Sequence, residues 1–158
     1  MCCAKSNSMP AADAFCAQIA ARLELHEAIS VDLVALADVP VAAALVRTVA
    51  VMSGFVARIA AEVATAAAEL ASNAVRHGGT GLLTVQRCGG SIVVTVVDRG
   101  GGVAAALQKR GLAPPGHHEP RSGGLGHGLT AVARLMSGLE FTDREGGGIV
   151  ARTWRDAA

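Results

Sequence analysis

Ala68-Glu69-Leu70-Ala71-Ser72-Asn73-Ala74-Val75-Arg76-His77-Gly78 is the stretch on which the reading of this chain turns. It places a carboxylate and a carboxamide four residues apart, on one face of a helix. Mg²⁺ takes a few oxygen ligands besides water and phosphate. A neighbouring carboxylate left off the metal can orient a hydroxyl for attack on phosphorus. By itself the Glu69/Asn73 pair is more often an ordinary solvated pair. Its weight comes from two glycine-rich stretches downstream.

In the first, Asp98-Arg99-Gly100-Gly101-Gly102 comes directly after the apolar run Ser91-Ile92-Val93-Val94-Thr95-Val96-Val97, so an acid ends a strand and meets glycines. In the second, Arg121-Ser122-Gly123-Gly124-Leu125-Gly126-His127-Gly128-Leu129 precedes Ala131-Val132-Ala133-Arg134-Leu135-Met136, so a glycine loop opens a helix. Such a loop is a ready anion site, because free backbone N–H groups and the positive end of the helix dipole face the ligand. Taken alone, Asp98 reads equally as a turn acid.

Helix Glu/Asn, then DxGxG, then GxGxG is the order of a Bergerat-type nucleotide site. From about residue 29 to 154 the chain resembles the GHKL ATPase superfamily. Within it, the chain is most similar to the small bacterial serine/threonine switch kinases, the RsbT-like kinases and the anti-sigma-factor kinases. Three motifs in order are far more specific than a lone GxGxG. The resemblance implies ATP and Mg²⁺ as cofactors. It implies Glu69 as general base, Asn73 as the Mg²⁺ ligand and Asp98 as the acceptor of the adenine amino group. Gly100 and Gly102 would lie beneath the base. Gly124, Gly126 and Gly128, with Leu125 and His127 between them, would wrap the phosphates. Arg121 would stand near the terminal phosphate, and His77 matches a histidine found four residues after the asparagine.

The chain departs from that pattern twice. The family carries a Gly-Thr in its last glycine-containing strand, whose hydroxyl helps hold adenine. Here the region reads Glu145-Gly146-Gly147-Gly148-Ile149-Val150, and Thr153 is too far along. One lost neutral hydrogen bond costs on the order of 1 kcal/mol, enough to weaken ATP binding without abolishing it. The lid, about 103–123, is also longer than in the shortest switch kinases and holds Pro114-Pro115-Gly116-His117-His118.

Composition frames this reading. At 158 residues the chain suits one well-buried core and is short for two. Hydrophobic residues make up 51%, yet there is no Tyr, three Phe and one Trp, so Ala, Val and Leu must build the core. A net charge of +1 makes no electrostatic case for nucleic acid or an anionic membrane. No apolar stretch reaches the ~18 residues of a membrane span, and Lys5 alone ahead of no clear apolar core does not read as a signal peptide. A cytoplasmic location is expected. Cys2-Cys3 lacks zinc spacing and reads as thiols on an N-terminal tail, while Cys16 and Cys88 read as small core residues.

The expected organisation is an N-terminal tail and extra helix over 1–27 and a nucleotide-binding domain over 28–158. Phe15, Ile19, Leu23 and His26 fall near one stripe of a helix over 11–27, a segment that would either serve a homodimer or stabilise the fold. Residues 29–36 read as a strand with Val31, Leu33 and Ala35 on one face. Asp38 reads as the N-cap of a helix to Met52 with Pro40 in its first turn. A long helix over 56–77 ends at Gly78-Gly79. Hairpins are expected at 82–97, turning on Gly89-Gly90, and at 138–154, turning on Gly146-Gly147-Gly148. A helix over 127–136 lies between them. The fold class is α+β: a two-layer sandwich with a mixed, largely antiparallel sheet and helices on one face. Glu62, seven residues before Glu69, reads as part of a solvated face. Lys109 and Arg110 would either reach phosphates or end a short helix, and His117-His118 reads as solvated.

The resemblance implies a protein kinase that phosphorylates a STAS-domain protein, either an anti-anti-sigma factor or a stressosome scaffold. An RsbT-like kinase would then activate a PP2C-type phosphatase, and an anti-sigma kinase would instead sequester a sigma factor. A binding module without turnover is the third reading. An intact Glu69 argues against it, because binding alone needs no base.

Overall fold

The computed structural model describes residues 11–24, 27–101 and 125–157. Its elements are α1 (Ala11–Glu24), β1 (Ile29–Leu33), α2 (Asp38–Met52), α3 (Ala57–Gly78), β2 (Gly81–Cys88), β3 (Ser91–Asp98), α4 (Leu125–Leu135), β4 (Gly138–Asp143) and β5 (Ile149–Asp156). The five strands form one sheet in the order β1-β2-β3-β5-β4. Every pairing is antiparallel, so the sheet is wholly antiparallel where the sequence predicts a mixed, largely antiparallel one. The architecture is the expected two-layer α/β sandwich.

Alternation decides which face of each strand the helices cover. Leu83 and Val85 of β2, Ile92, Val94 and Val96 of β3, and Ile149, Ala151 and Thr153 of β5 are buried on one side. The registers Val85↔Val94 and Val94↔Thr153 place them in rows. Against these rows lies α3. Its buried positions Ala60, Val63, Ala67, Leu70, Ala71 and Ala74 recur at spacings of three and four, the signature of a helix with one face in the core. Most are alanines, and small side chains let the helix sit close to the sheet. The core is therefore aliphatic, as the composition requires. Thr153 is its one buried polar side chain among the described residues, and its hydroxyl donates to the Gly138 carbonyl at 2.7 Å.

Several boundaries differ from the sequence expectation, each for a physical reason. β1 stops at Leu33 because the backbone N–H groups of Val34 and Ala35 both donate to the Asp38 carboxylate, at 2.8 Å each. Ala35 is thus exposed in a turn and not on the strand face. Asp38 does not cap its own helix: Ala37 holds the N-cap position, and Asp38 instead closes the turn before it. α4 begins at Leu125, so His127 lies in its first turn. Cys88 is exposed at the β2–β3 turn and not in the core; its Sγ accepts from Gln86 Nε2 at 2.8 Å. Of the α1 stripe, Ile19 is buried, whereas the side chains of Phe15 and Leu23 and all of His26 lie outside the described residues, as does the side chain of Cys16. No described helix is long and apolar enough to cross a membrane.

The Asp38 turn has a pH signature. Hydrogen bonds from Ala35 and Val34 hold its carboxyl below the ordinary 3.8. A carboxylate with a lowered folded-state pKa stabilises above its unfolded pKa, and that stabilisation is lost as pH falls through the folded value. Thermal melts of Asp38→Ala should therefore lie below wild type at pH 7. The gap should narrow as pH drops below 3.8 and vanish at still lower pH.

Candidate active site

Glu69, Asn73 and His77 stand on successive turns of α3. Leu70, Ala71 and Ala74 between them are buried in the core, so this stripe runs along the flank of the helix. Glu69 and Asn73 are half-buried, and His77 is exposed at the end of the stripe. Asn73 Nδ2 is buried and finds no hydrogen-bond partner among the described residues. An unsatisfied buried donor costs about 1–3 kcal/mol, which a ligand oxygen or an ordered water would offset. The Asn73 carboxamide is a hard oxygen donor that fits a hydrated divalent cation also taking phosphate oxygens, with the Glu69 carboxylate one turn away left off the metal.

The first turn of α4 closes one end of this stripe. A Cβ on Gly128 would fall 2.3 Å from Glu69 Oε2, so a side chain here would displace the Glu69 carboxylate from its present position. Glycine inside a helix costs roughly 1 kcal/mol. The close contact with Glu69 accounts for a glycine at this position within α4.

The other end of the stripe is Asp98, half-buried at the end of β3. Three segments converge on it. A Cβ on Gly78, the last residue of α3, would lie 2.5 Å from the Asp98 Cβ. A Cβ on Gly100 would lie 3.0 Å from both Gly78 Cα and the His77 carbonyl oxygen. A Cβ on Gly148 would lie 2.1 Å from the Asp98 carbonyl oxygen, and Gly148 also has φ +98. Asp98 Oδ1 accepts from Gly100 N at 2.9 Å and from Ile149 N at 3.0 Å. With one oxygen holding two backbone donors, the carboxylate is fixed in orientation.

Part of this arrangement is not read from the sequence. Local pattern marks Gly78 as a helix stop and Gly148 as a hairpin turn; both also clear space around Asp98. Three consecutive glycines, more than a tight turn requires, are the available signal. The region from Glu145 to Val150 holds no threonine, and Ile149 lies within it. It contributes a backbone N–H to Asp98, while its side chain is buried in the core. The hydroxyl of Thr153, four residues further along β5, donates to the Gly138 carbonyl. Leu125, Gly126 and His127 form the first turn of α4. Gly102, Gly124, Arg121 and the lid at about 103–123 lie outside the described residues. An apolar groove of about 600 Å³ between β1 and α2, lined by Ile29, Val31, Pro40, Val41, Ala44 and Leu45, shares none of the site residues.

The glycine cage yields a graded expectation. Gly147 has φ +100, and a Cβ there would meet only the Gly100 carbonyl oxygen, at an ordinary 3.6 Å. Gly147→Ala should cost only the backbone strain, roughly 1–2 kcal/mol. Gly148→Ala adds a clash with Asp98 backbone and should cost more, about 3 kcal/mol or above. Urea denaturation of the two variants checks the order, and equal costs would contradict the close packing at Asp98.

No curated protein matches the chain. The model of the histidine kinase-like ATPase domain matches residues 4–154, reaching further toward the N-terminus than the motif resemblance and taking in α1. Because that match covers most of the chain and runs through α3, Asp98 and α4 together, the chain belongs to the histidine kinase-like ATPase domain family, a family of ATP-binding domains.

Proposed function

We propose that this ATPase-family domain is a serine/threonine protein kinase of a bacterial partner-switching pathway. It transfers the γ-phosphoryl group of ATP to a STAS-domain protein and then engages a PP2C-type phosphatase. The observation that carries the reading is the pair of ends on α3. Asp98 sits against Gly78 at one end, and Glu69 sits against Gly128 nine residues earlier. Nine helical residues span about 13 Å, comparable with the length of an extended nucleoside triphosphate.

In this reading Asp98 Oδ2 accepts from the exocyclic amine of adenine, since Oδ1 already holds two backbone donors. Gly100 and Gly102 allow the base to lie close to the backbone. The first turn of α4, with Gly126 and Gly128, offers N–H groups and a positive dipole end to the phosphates, and Gly124 just ahead of it would join them. Asn73 would hold Mg²⁺, which when bound neutralises charge on the phosphate oxygens. Glu69 accepts the proton of the Ser or Thr hydroxyl. The hydroxyl oxygen bonds to the γ-phosphorus, the bond from that phosphorus to the β–γ bridging oxygen breaks, and ADP leaves. Arg121 balances charge on the transferred group.

Ile149 supports a second reading. Its buried aliphatic side chain puts no hydroxyl beside the base, so a module that binds nucleotide weakly and acts by sequestering a partner, such as a sigma factor, also fits. Turnover separates the two. With Mg-ATP and a STAS protein, Glu69→Ala should lose transfer by on the order of 100-fold or more while keeping ATP binding. Mass spectrometry of the STAS protein reads the transfer. An unchanged partner-binding function in Glu69→Ala, with no transfer by wild type, would establish the sequestering module instead.

Gly128→Ala tests the same geometry from the other helix. The atom that its Cβ would strike is the far end of the Glu69 side chain, which can rotate away. Stability should change by less than about 1 kcal/mol, whereas transfer should fall roughly 10- to 100-fold as the base is displaced. Melting curves and single-turnover transfer on the same preparation check both halves.

A further inference from the structure

Glu62 is not part of a solvated face. Its side chain is 20% exposed and forms ion pairs with Arg58 on its own helix and with Arg155 on β5, the latter at 3.4 Å. Arg155, itself 25% exposed, points to the helical side of the sheet: it pairs in register with Ile92, whose side chain is in the core. Its other terminal nitrogen donates to the carbonyl of Leu135, the last residue of α4. One guanidinium therefore joins the C-terminal end of α4 to α3 and to the sheet. A planar fork with several donors can serve both partners at once, which a single ammonium cannot.

The position of this link is informative. At the other end of α4, Gly128 lies against Glu69. Glu62 and Glu69 are seven residues apart on α3, and Gly128 and Leu135 are seven residues apart on α4. The helices thus run antiparallel and are joined at two levels, two turns apart, about 10 Å along the axis. The lower level holds a helix terminus whose carbonyls have no intrahelical partners, and a cation there is favoured by the dipole. The upper level is the proposed phosphate end of the site. The base end, made of Gly78, Asp98, Gly148 and the Ile149 amide, contains no α4 residue.

We propose that Arg155 is a positioning residue for the phosphate end of the site. By fixing the C-terminal end of α4 to Glu62, it sets where the first turn of α4, from Leu125 to Gly128, stands relative to Glu69 and Asn73. The nucleotide part of this inference rests on the ATP-site reading above; the mechanical part does not.

Two measurements on Arg155→Met and Arg155→Lys test it. The first is amide hydrogen exchange without nucleotide. Arg155→Met should speed exchange through α4 while leaving β3 near Asp98 and the Gly148–Ile149 segment at wild-type protection. The second is calorimetric titration with Mg-ATP and with adenosine. Arg155→Met should weaken ATP roughly tenfold and leave adenosine affinity unchanged. Arg155→Lys keeps the charge and the stem but reaches one partner at a time, so it should fall between Met and wild type. Equal weakening of ATP and adenosine, or faster exchange across the whole sheet, would reduce Arg155 to a general stabiliser and overturn the proposal. Wild-type ATP affinity in Arg155→Met, with unchanged exchange in α4, would overturn it too. If wild type itself binds no ATP, the nucleotide reading fails, and with it the proposed role at the phosphate end. Exchange in α4 then shows separately whether Arg155 fixes that helix.

Discussion

The Asp98 carboxylate is the contact on which the rest of the site depends. Its Oδ1 draws in the amides of Gly100 and Ile149, which come from two different segments. The end of α3 reaches the same point through Gly78, and the β4–β5 turn reaches it through Gly148. Each approach is closer than a side chain would permit. A half-buried carboxylate needs donors, and here the backbone supplies them. The acid at the end of β3 therefore organises helix, strand and turn around itself.

From that fixed end, α3 works as a ruler. It is packed on the sheet by small aliphatic residues, so its flank holds Glu69 and Asn73 at set distances from Asp98. α4 then determines how the far end is closed. Gly128 allows it to approach Glu69, and the Glu62–Arg155–Leu135 link restrains its other end. Partly buried ion pairs contribute little net stability when desolvation is counted. Orientation of one helix against another is a better account of why two charged side chains converge between helix and sheet.

Much of this is legible in the chain itself. The α3 stripe, the glycine stops, the two hairpins and the order of the three motifs all arise from local patterns. Side-chain periodicity reports which face of an element is buried, and glycine position reports where a chain must turn. The points at which sequence and structure part share a cause. Asp38 has the sequence setting of an N-cap, but its carboxylate turns back to satisfy Val34 and Ala35. Glu62 has the setting of a solvated acid because its partner, Arg155, is distant in sequence. Cys88 has the residue type of a core position, but its place beside the hairpin turn exposes it.

By itself, then, the sequence determined the fold class, the aliphatic core and the candidate acid, amide and glycines, because each arises from spacing within an element. Tertiary structure alone decided what those residues touch. Asp98 meets Ile149 across 51 positions, and Glu62 meets Arg155 across the boundary between the helical layer and the sheet. Periodicity carries no information about such pairs. They are selected by the strand order β3-β5 and by the packing of α3 and α4 on one face of the sheet, which exist only once the chain has folded.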